Sequence, residues 1–245
     1  MKKLIIKIIE KMGIRVQFMS KIRQYEANQL LWIGRLDVNY IFDVGANEGQ
    51  FAKKILSLFP KANYICFEPI GERLAKACVI IQTDDKTLER RGYQVVLGNR
   101  DGVVKFNVHD IHFSSSVLEM HSIHHDLYPG SAPKTEIEVP IRKLDSMFTT
   151  TPMKHRVFLK LDVQGYELAV LNGAVNFLNS VQVIMVEVNF EQLYKGQPTF
   201  DEINIFLTRH GFEFCGSYDE QRNKVDGKPI SSDLFFVRKG ISDAR

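Results

Sequence analysis

One short segment constrains this chain more than any other: an apolar run that breaks into a glycine-spaced turn. Tyr40-Ile-Phe-Asp-Val44 reads as a strand buried on both faces, because such strands in parallel sheets are near-continuous apolar runs. Gly45-Ala-Asn-Glu-Gly49 follows at once, and the spacing predicts a helix over 50–59, stopped by Pro60. A strand, a glycine turn and a helix in direct succession make the first half of a βαβ unit. They also leave free N–H groups at the helix start, facing whatever lies beyond the strand end.

The same rhythm repeats downstream. Strands are expected at 64–68 (ended by Pro69), 93–97, 156–162 and 183–189, with helices over 72–81 and 166–178. Thr199 and Glu202 form a capping box that opens a helix ending at Gly211, and 212–215 with 234–237 read as a closing hairpin. Asp101-Gly102 predicts a hairpin turn returning as an extra strand over 103–108, while 109–140 reads as a long irregular insertion rich in His, Ser and Pro. The expected architecture is α/β: a doubly wound, Rossmann-like sheet of seven strands over 37–240, with a helical N-terminal extension over 1–36. A length of 245 residues, 44% of them hydrophobic and 25% charged, suits one such domain.

In this architecture ligands sit outside the carboxyl ends of the strands, where the strand order reverses. The candidate residues therefore follow the strands. Asp43, Gly45 and Gly49 shape a turn in which backbone can approach an anionic tail closely. Glu68, ending the second strand, suits both hydroxyls of a ribose. The turn lacks the G-x-G-x-x-G spacing that rests a pyrophosphate on a helix, which argues against NAD and for a nucleoside cofactor without pyrophosphate, S-adenosylmethionine (SAM).

Asp43-Val-Gly-Ala-Asn-Glu-Gly-Gln-Phe51, Phe67-Glu-Pro69, Leu97-Gly-Asn-Arg-Asp-Gly102, Ser114-Ser-Ser116 and Lys160-Leu-Asp-Val-Gln-Gly-Tyr-Glu167 occur in that order. Over 38–238 the chain thereby resembles the FkbM family of SAM-dependent methyltransferases. The family often has Glu where this chain has Gln164. The resemblance implies O-methylation of a hydroxyl on a sugar, glycan or natural-product scaffold, typically in bacterial glycan or secondary-metabolite biosynthesis. It implies that Gly45, Ala46, Asn47 and Gly49 line the methionine part of SAM, that Glu68 holds the ribose, and that Asn99 marks the adenine end. It also implies that Ser115 and Ser116 lie near cofactor or acceptor.

Methyl transfer to a hydroxyl needs its proton removed. Asp162 ends the fourth strand and Lys160 shares its side; Glu187 and Asn189 share a side at the end of the fifth. Asp162, Glu187 and Asn189 together offer oxygen donors suited to Mg²⁺. The metal-free alternative uses Asp162, assisted by Lys160, or a loop histidine such as His124 as base. Glu167 is expected to support the first turn of its helix. Five of the seven histidines fall in one stretch, His109, His112, His121, His124 and His125; a helix there would align His121 and His125, four residues apart, for a transition metal, but no Cys or nearby carboxylate set completes a zinc site. Tyr194, Tyr128 and Phe113 are candidates to stack on an acceptor.

The remaining features narrow partners and location. A net charge of +3 is too small to argue for nucleic acid. Cys66, Cys78 and Cys215 lack metal or redox spacing, which fits free thiols in the cytoplasm. Lys2, Lys3, Lys7, Lys11 and Arg15 interleave with Leu4, Ile5, Ile8, Ile9 and Met12, a pattern that suits a helix touching a membrane surface, the domain or a second subunit. The competing functions are a protein or nucleic-acid methyltransferase, a non-catalytic SAM-binding protein, and a dehydrogenase on the same fold class.

Overall fold

The computed structural model describes residues 30–109, 114–128, 131, 133–149 and 156–241. The chain divides into two units, Met1–Asp37 and Val38–Arg245. In the first, the described residues hold a 3-10 turn at Ile33–Arg35. The expected amphipathic helix carrying Lys2 to Arg15 lies outside the described residues, as do His112 and Phe113.

The second unit is an α/β fold. In chain order its strands are β1 (Tyr40–Val44), β2 (Asn63–Phe67), β3 (Arg90–Tyr93), β4 (Val96–Leu97), β5 (Gly102–His109), β6 (Pro133–Arg142), β7 (Val157–Leu161), β8 (Val181–Asn189), β9 (Phe212–Arg222) and β10 (Pro229–Arg238). Seven of them form the main sheet in the order β3-β2-β1-β7-β8-β10-β9, parallel up to β8, with β10 antiparallel to both neighbours. The other three form a smaller sheet in the order β4-β6-β5. The helices that bear on the site are α1 (Gln50–Ile55), α2 (Gly71–Ile81), α3 (Ser122–Leu127), α4 (Leu144–Met147), α5 (Glu167–Asn172) and α6 (Phe200–Arg209).

The central strands carry the apolar runs because both of their faces are covered. Phe42, Val44, Leu159, Leu161, Ile184 and Val186 belong to one continuous core with Leu171, Leu178 and Leu207 from the connecting segments. Charged residues interrupt those runs: Asp43 on β1 and Lys160 on β7, register partners across the parallel pair, and Glu187 on β8. The strand order reverses between β1 and β7, so the crevice at their carboxyl ends is where a ligand site belongs.

The structure departs from the sequence expectation in four places. The third strand of the main sheet is Arg90–Tyr93, and the apolar segment after it leaves for the small sheet. Asp101-Gly102 makes no hairpin, since β6 lies between β4 and β5; Asp101 Oδ1 instead accepts from Lys143 N–H (2.9 Å) and Ser146 Oγ (2.8 Å) at the start of α4. The stretch expected to be irregular contains α3 and most of β6. The helix after β7 ends at Asn172, because a Cβ on Gly173 would stand 1.9 Å from the Gly98 carbonyl oxygen and the chain must run on close to that backbone. The capping box is present as expected: Thr199 Oγ1 accepts from Glu202 N–H, and the Glu202 carboxylate accepts from Thr199 N–H.

The small sheet covers the carboxyl ends of β2 and β7. Val96, Phe106, Val139 and Ile141 pack there against Ile70, Val117 and Tyr166. Among the described residues no helix is long and apolar enough to cross a membrane.

Candidate active site

The turn after β1 is held open by backbone contacts on both sides. Gly45 and Ala46 N–H both donate to Phe67 O at 3.0 Å, and Val44 O accepts from Asp162 N–H at 3.0 Å. Gly45 has φ +79°, and a Cβ there would stand 1.8 Å from the Asp162 carbonyl oxygen. Only glycine lets the turn pass that close to the end of β7. Gly49, at φ +83°, lies against Ala77 and Ile80 of α2, so its role is packing between α1 and α2.

A cleft with about 620 Å³ of free space opens above this turn. Glu68 stands on its wall. Its Oε2 accepts from Asn47 N–H and its Oε1 from Ile70 N–H, each at 3.0 Å. One carboxylate thus ties the turn to the start of α2, and each oxygen keeps acceptor capacity. Burial pushes the Glu68 carboxyl up, against the pull of those two N–H groups and of Arg73. The opposite wall is apolar, formed by Val95, Val96, Leu97, Phe106 and Val117. Arg73 closes one side, donating to Ser115 Oγ (3.2 Å) and to the His109 carbonyl (3.1 Å).

Of the expected cofactor residues, Gly45, Asn47, Glu68 and Ser115 line this cleft. The others do not. Asp43 is sealed below it, accepting from Tyr64 Oη at 2.6 Å and paired with Lys160 at 3.3 Å. Ala46 is buried in the turn, and Asn99 is exposed beyond the small sheet's strand end. Ser116 is fully buried, donating to the Gln164 carbonyl at 2.7 Å and accepting from Leu118 N–H at 3.0 Å. Sequence reasoning missed Arg73, Phe106, Val117 and Tyr166, which reach the cleft from separate elements.

Lys160 anchors the floor. Its ammonium meets Asp43 Oδ1 (3.3 Å), Asp162 Oδ2 (3.2 Å) and the Gly45 carbonyl (3.3 Å). Burial opposes its charge, but the Asp162 and Asp43 carboxylates outweigh burial and raise its pKa. It is therefore a fixed cation that orients Asp162.

A second cleft, with about 470 Å³ of free space, adjoins the first. It is lined by Ser114, His124, Tyr128, Glu187, Asn189 and Ser231 among others, and Gln164 lines both clefts. Gln164 sits at φ +55° and is the hub of the partition. Its Nε2 donates to Asp162 Oδ1 (2.8 Å) and Glu187 Oε2 (2.5 Å), while its Oε1 accepts from the buried Tyr194 Oη (2.9 Å). Burial and the Asp162 and Asp233 carboxylates push Glu187 well above the usual carboxylate range. Asp233, its register partner on β10, is pushed up to about 7, chiefly by burial, then by Asp162. His124 is held down to about 4 by burial and by His109 and His125, and its Nδ1 lies 2.9 Å from Ser131 Oγ.

At the expected Mg²⁺ site a side-chain amide stands between the two carboxylates. Asp162 and Glu187 are joined by the Gln164 amide, and no group of three His, Cys, Asp or Glu able to hold a metal occurs among the described residues. The His121–His125 pair is not a zinc site either: His121 Nδ1 caps α3 by accepting from Ile123 N–H, and His125 is exposed. Tyr128 and Tyr194 both belong to the second cleft's surroundings, Tyr128 on its wall and Tyr194 behind Gln164. Glu167 Oε1 accepts from Val163 and Gly165 N–H at 3.1 Å each, bracing the turn before α5.

The Methyltransferase FkbM domain family matches residues 43–214. The 2-O-methyltransferase NoeI of Sinorhizobium fredii (strain NBRC 101917 / NGR234) is 29% identical over 165 residues, a match covering 64% of this chain and 66% of that protein. Among solved structures, magnesium protoporphyrin IX methyltransferase (ChlM) from Synechocystis PCC 6803 with bound SAM has a TM-score of 0.45 at 11% identity, covering 89% of this chain and 78% of that one. A putative RNA methyltransferase, PH1948 from Pyrococcus horikoshii, has a TM-score of 0.44 at 13% identity, covering 86% and 82%.

Proposed function

The chain belongs to the FkbM methyltransferase family, and from that premise we propose that it is a SAM-dependent O-methyltransferase acting on a hydroxyl of a sugar, glycan or natural-product small molecule. The observation that carries this reading is the pair of adjoining clefts at the switch point, divided by Asp162 and Gln164.

The first cleft fits the cofactor by its donor set. Glu68 has acceptor capacity for two vicinal ribose hydroxyls, and the apolar wall of Val95, Val96, Leu97 and Phe106 fits an adenine. Asn47, Gly45 and Asp162 border the end nearest the partition, where the amino-acid part would be held. SAM supplies a methyl group activated by a sulfonium, ready for in-line displacement.

The chain's own task is to hold the acceptor hydroxyl and take its proton. Glu187 lines the second cleft, and its raised pKa makes its carboxylate a stronger base than an ordinary glutamate. Gln164 fixes it through Oε2. His124 stays uncharged near neutral pH and offers the acceptor a hydrogen-bonding ring rather than a charge. Lys160 holds Asp162 at the boundary between the two ligands. Mg²⁺ at Asp162, Glu187 and Asn189 would require the Gln164 amide to swing out from between the carboxylates.

Calorimetric titration with SAM and S-adenosylhomocysteine, followed by labelled-methyl transfer to a panel of sugars and hydroxylated small molecules, tests the proposal. Saturable cofactor uptake with label recovered on an acceptor oxygen is the expected result. Absence of any cofactor uptake by the folded protein would overturn it.

A further inference from the structure

The second cleft is walled without a cation. None of its described lining residues is Lys or Arg, and Glu187 is the one carboxylate among them. The lining ring of His124 adds no positive charge, because burial and its histidine neighbours hold its pKa down to about 4. Basic side chains on the segments that bear the wall are already paired. Lys195, just past Leu193, meets Glu119 at 2.7 Å; Arg222, beside Gln221, pairs with Glu220; Lys228, ahead of β10, pairs with Glu191. Lys224 stands in the exposed turn between β9 and β10.

Negative charge, by contrast, gathers behind the wall from three strands. Asp162 follows β7, Glu187 lies on β8, and Asp233 on β10 is the register partner of Glu187. The ammonium of Lys160 is shared between Asp162 (3.2 Å) and Asp43 (3.3 Å), and Lys54, which acts on Asp233, is paired with Asp219 at 3.8 Å. Glu187 itself has only the Gln164 amide as a printed partner and faces the cleft. Its charge is felt on the cleft wall, where it adds to burial in raising the Tyr128 hydroxyl.

This imbalance acts on an acceptor in two ways. A carboxylate brought into the cleft would lose water and find no cation to replace it. It would also raise the pKa of Glu187 further and keep the base protonated. An ammonium does the reverse: it is attracted to Glu187 and lowers the pKa of that carboxyl, so the base is available at neutral pH.

We propose that the second cleft selects its acceptor by charge, taking a sugar that bears an amine ahead of the neutral sugar and refusing the corresponding acidic sugar. This rests on the O-methyltransferase reading and narrows its acceptor class. The step itself is unchanged: the sulfonium's C–S bond breaks as the C–O bond to the acceptor forms, the hydroxyl proton passes to Glu187, and S-adenosylhomocysteine leaves. The ammonium stands beside that hydroxyl as a fixed charge and keeps its protons.

The test is a printed array of gluco-, galacto- and manno-configured sugars, each as the neutral hexose, the amino sugar, its N-acetyl form and the uronic acid. Full-length protein and methyl-labelled SAM are applied at pH 7. Initial labelling of the best amino sugar is expected to exceed that of its N-acetyl form about tenfold and that of the uronic acid about 100-fold. Gln221→Lys sets a cation on the wall at an exposed position, and should raise labelling of uronic acids about tenfold while reducing the preference for amines. Gln221→Glu should shift the profile the opposite way. Equal labelling of acidic and amino sugars, a preference for the acidic ones, an unchanged profile in both Gln221 variants, or no label on any sugar would each overturn the proposal. Calorimetry with S-adenosylhomocysteine on the same preparations separates the two readings. Retained cofactor binding in those cases leaves the methyltransferase reading standing, whereas wild-type protein that binds none would remove both.

Discussion

Lys160 and Asp43 are register partners on adjacent parallel strands, and their charged groups stand 3.3 Å apart beneath the glycine turn, with Asp43 wholly shut off from solvent. Asp43 also accepts from Tyr64, whose own pKa is raised well above its usual value by burial and by Asp43. Replacing Lys160 by Met leaves two carboxylates, Asp43 and Asp162, without their shared cation. The expected loss of stability is about 3–5 kcal/mol, the range for stranding one partner of a buried pair. Because the folded-state pKa of Lys160 is raised, its contribution is complete below the unfolded lysine value and is lost only as pH rises through the folded one. Urea melts of Lys160→Met should therefore show a constant deficit across the neutral range, from about pH 6 to about pH 9. A variant as stable as wild type would remove the ion pair from any account of the fold.

Glu68 makes a separable prediction about the cofactor. Glu68→Ala removes the proposed ribose acceptors together with the brace between Asn47 and Ile70, and should weaken SAM binding about 100-fold, equivalent to ~2–3 kcal/mol. Glu68→Gln keeps one acceptor oxygen and should fall between. Calorimetry on both, with turnover measured at saturating SAM, separates binding from chemistry. Unaltered affinity in Glu68→Ala would place the nucleoside elsewhere.

What could be read from the chain follows from how local each signal is. The strand–turn–helix at Tyr40 to Ile55 and the capping box at Thr199 are written in consecutive residues, and both appear in the fold. The third strand is hidden from pattern reading because the most apolar segment, ending at Leu97, serves the small sheet, whereas β3 reads Arg-Arg-Gly-Tyr. Gly92 explains that unpromising strand: a Cβ there would stand 2.5 Å from Cys78 Sγ, so the residue that weakens β3 as a pattern is what lets α2 lie against it. Asp233 carries no signal in the sequence, since only the antiparallel pairing of β10 with β8 brings it opposite Glu187. Arg73 and Phe106 meet at the first cleft from a helix and a strand of a different sheet, a meeting that no spacing encodes.

Glu167 gives a pH prediction. The residue is 2% exposed and its carboxyl is pushed up to about 7, chiefly by burial. The folded state therefore holds a proton that the unfolded chain releases near pH 4.5, and stability falls as pH rises between those two values. Gln at this position can still accept from Val163 and Gly165 N–H without titrating. Glu167→Gln should match wild type near pH 4.5 and exceed it by about 1–3 kcal/mol above pH 7. Denaturant midpoints across that range measure it; parallel pH profiles for the two proteins would show that Glu167 carries no such proton.

Glu187 should set the acid limb of the reaction. Its raised pKa means that the carboxylate needed to accept a proton forms only above the usual range for glutamate, so turnover should rise with pH through a displaced limb. Glu187→Gln should lower kcat by about 10²–10⁴, the usual contribution of a positioned base, and leave SAM affinity within about twofold. A pH–rate profile whose acid limb is identical in wild type and variant would exclude Glu187 as the base and return the role to Asp162 or His124.

Gln164 shows why a neutral amide suits this junction. Its two amide hydrogens satisfy Asp162 and Glu187 at once, a task that a carboxylate cannot perform. Gln164→Glu keeps the acceptor for Tyr194 but sets a third negative oxygen group against two existing ones. At neutral pH the variant should lose about 2–4 kcal/mol. Like charges at this distance raise the pKa of the group, so the loss should shrink as pH falls and a proton returns to the cluster. Divalent cations should also relieve it, because the introduced carboxylate, together with those of Asp162 and Glu187, would then offer the three-oxygen set that Mg²⁺ or Mn²⁺ takes up. Thermal melts of wild type and Gln164→Glu, each with millimolar Mg²⁺ and with EDTA, give the comparison. The variant's Tm should rise with Mg²⁺ by several degrees more than that of wild type. An equal rise in both proteins would mean that a cation already competes with the amide between Asp162 and Glu187, and would restore the metal site that the hydrogen bonds of Gln164 argue against.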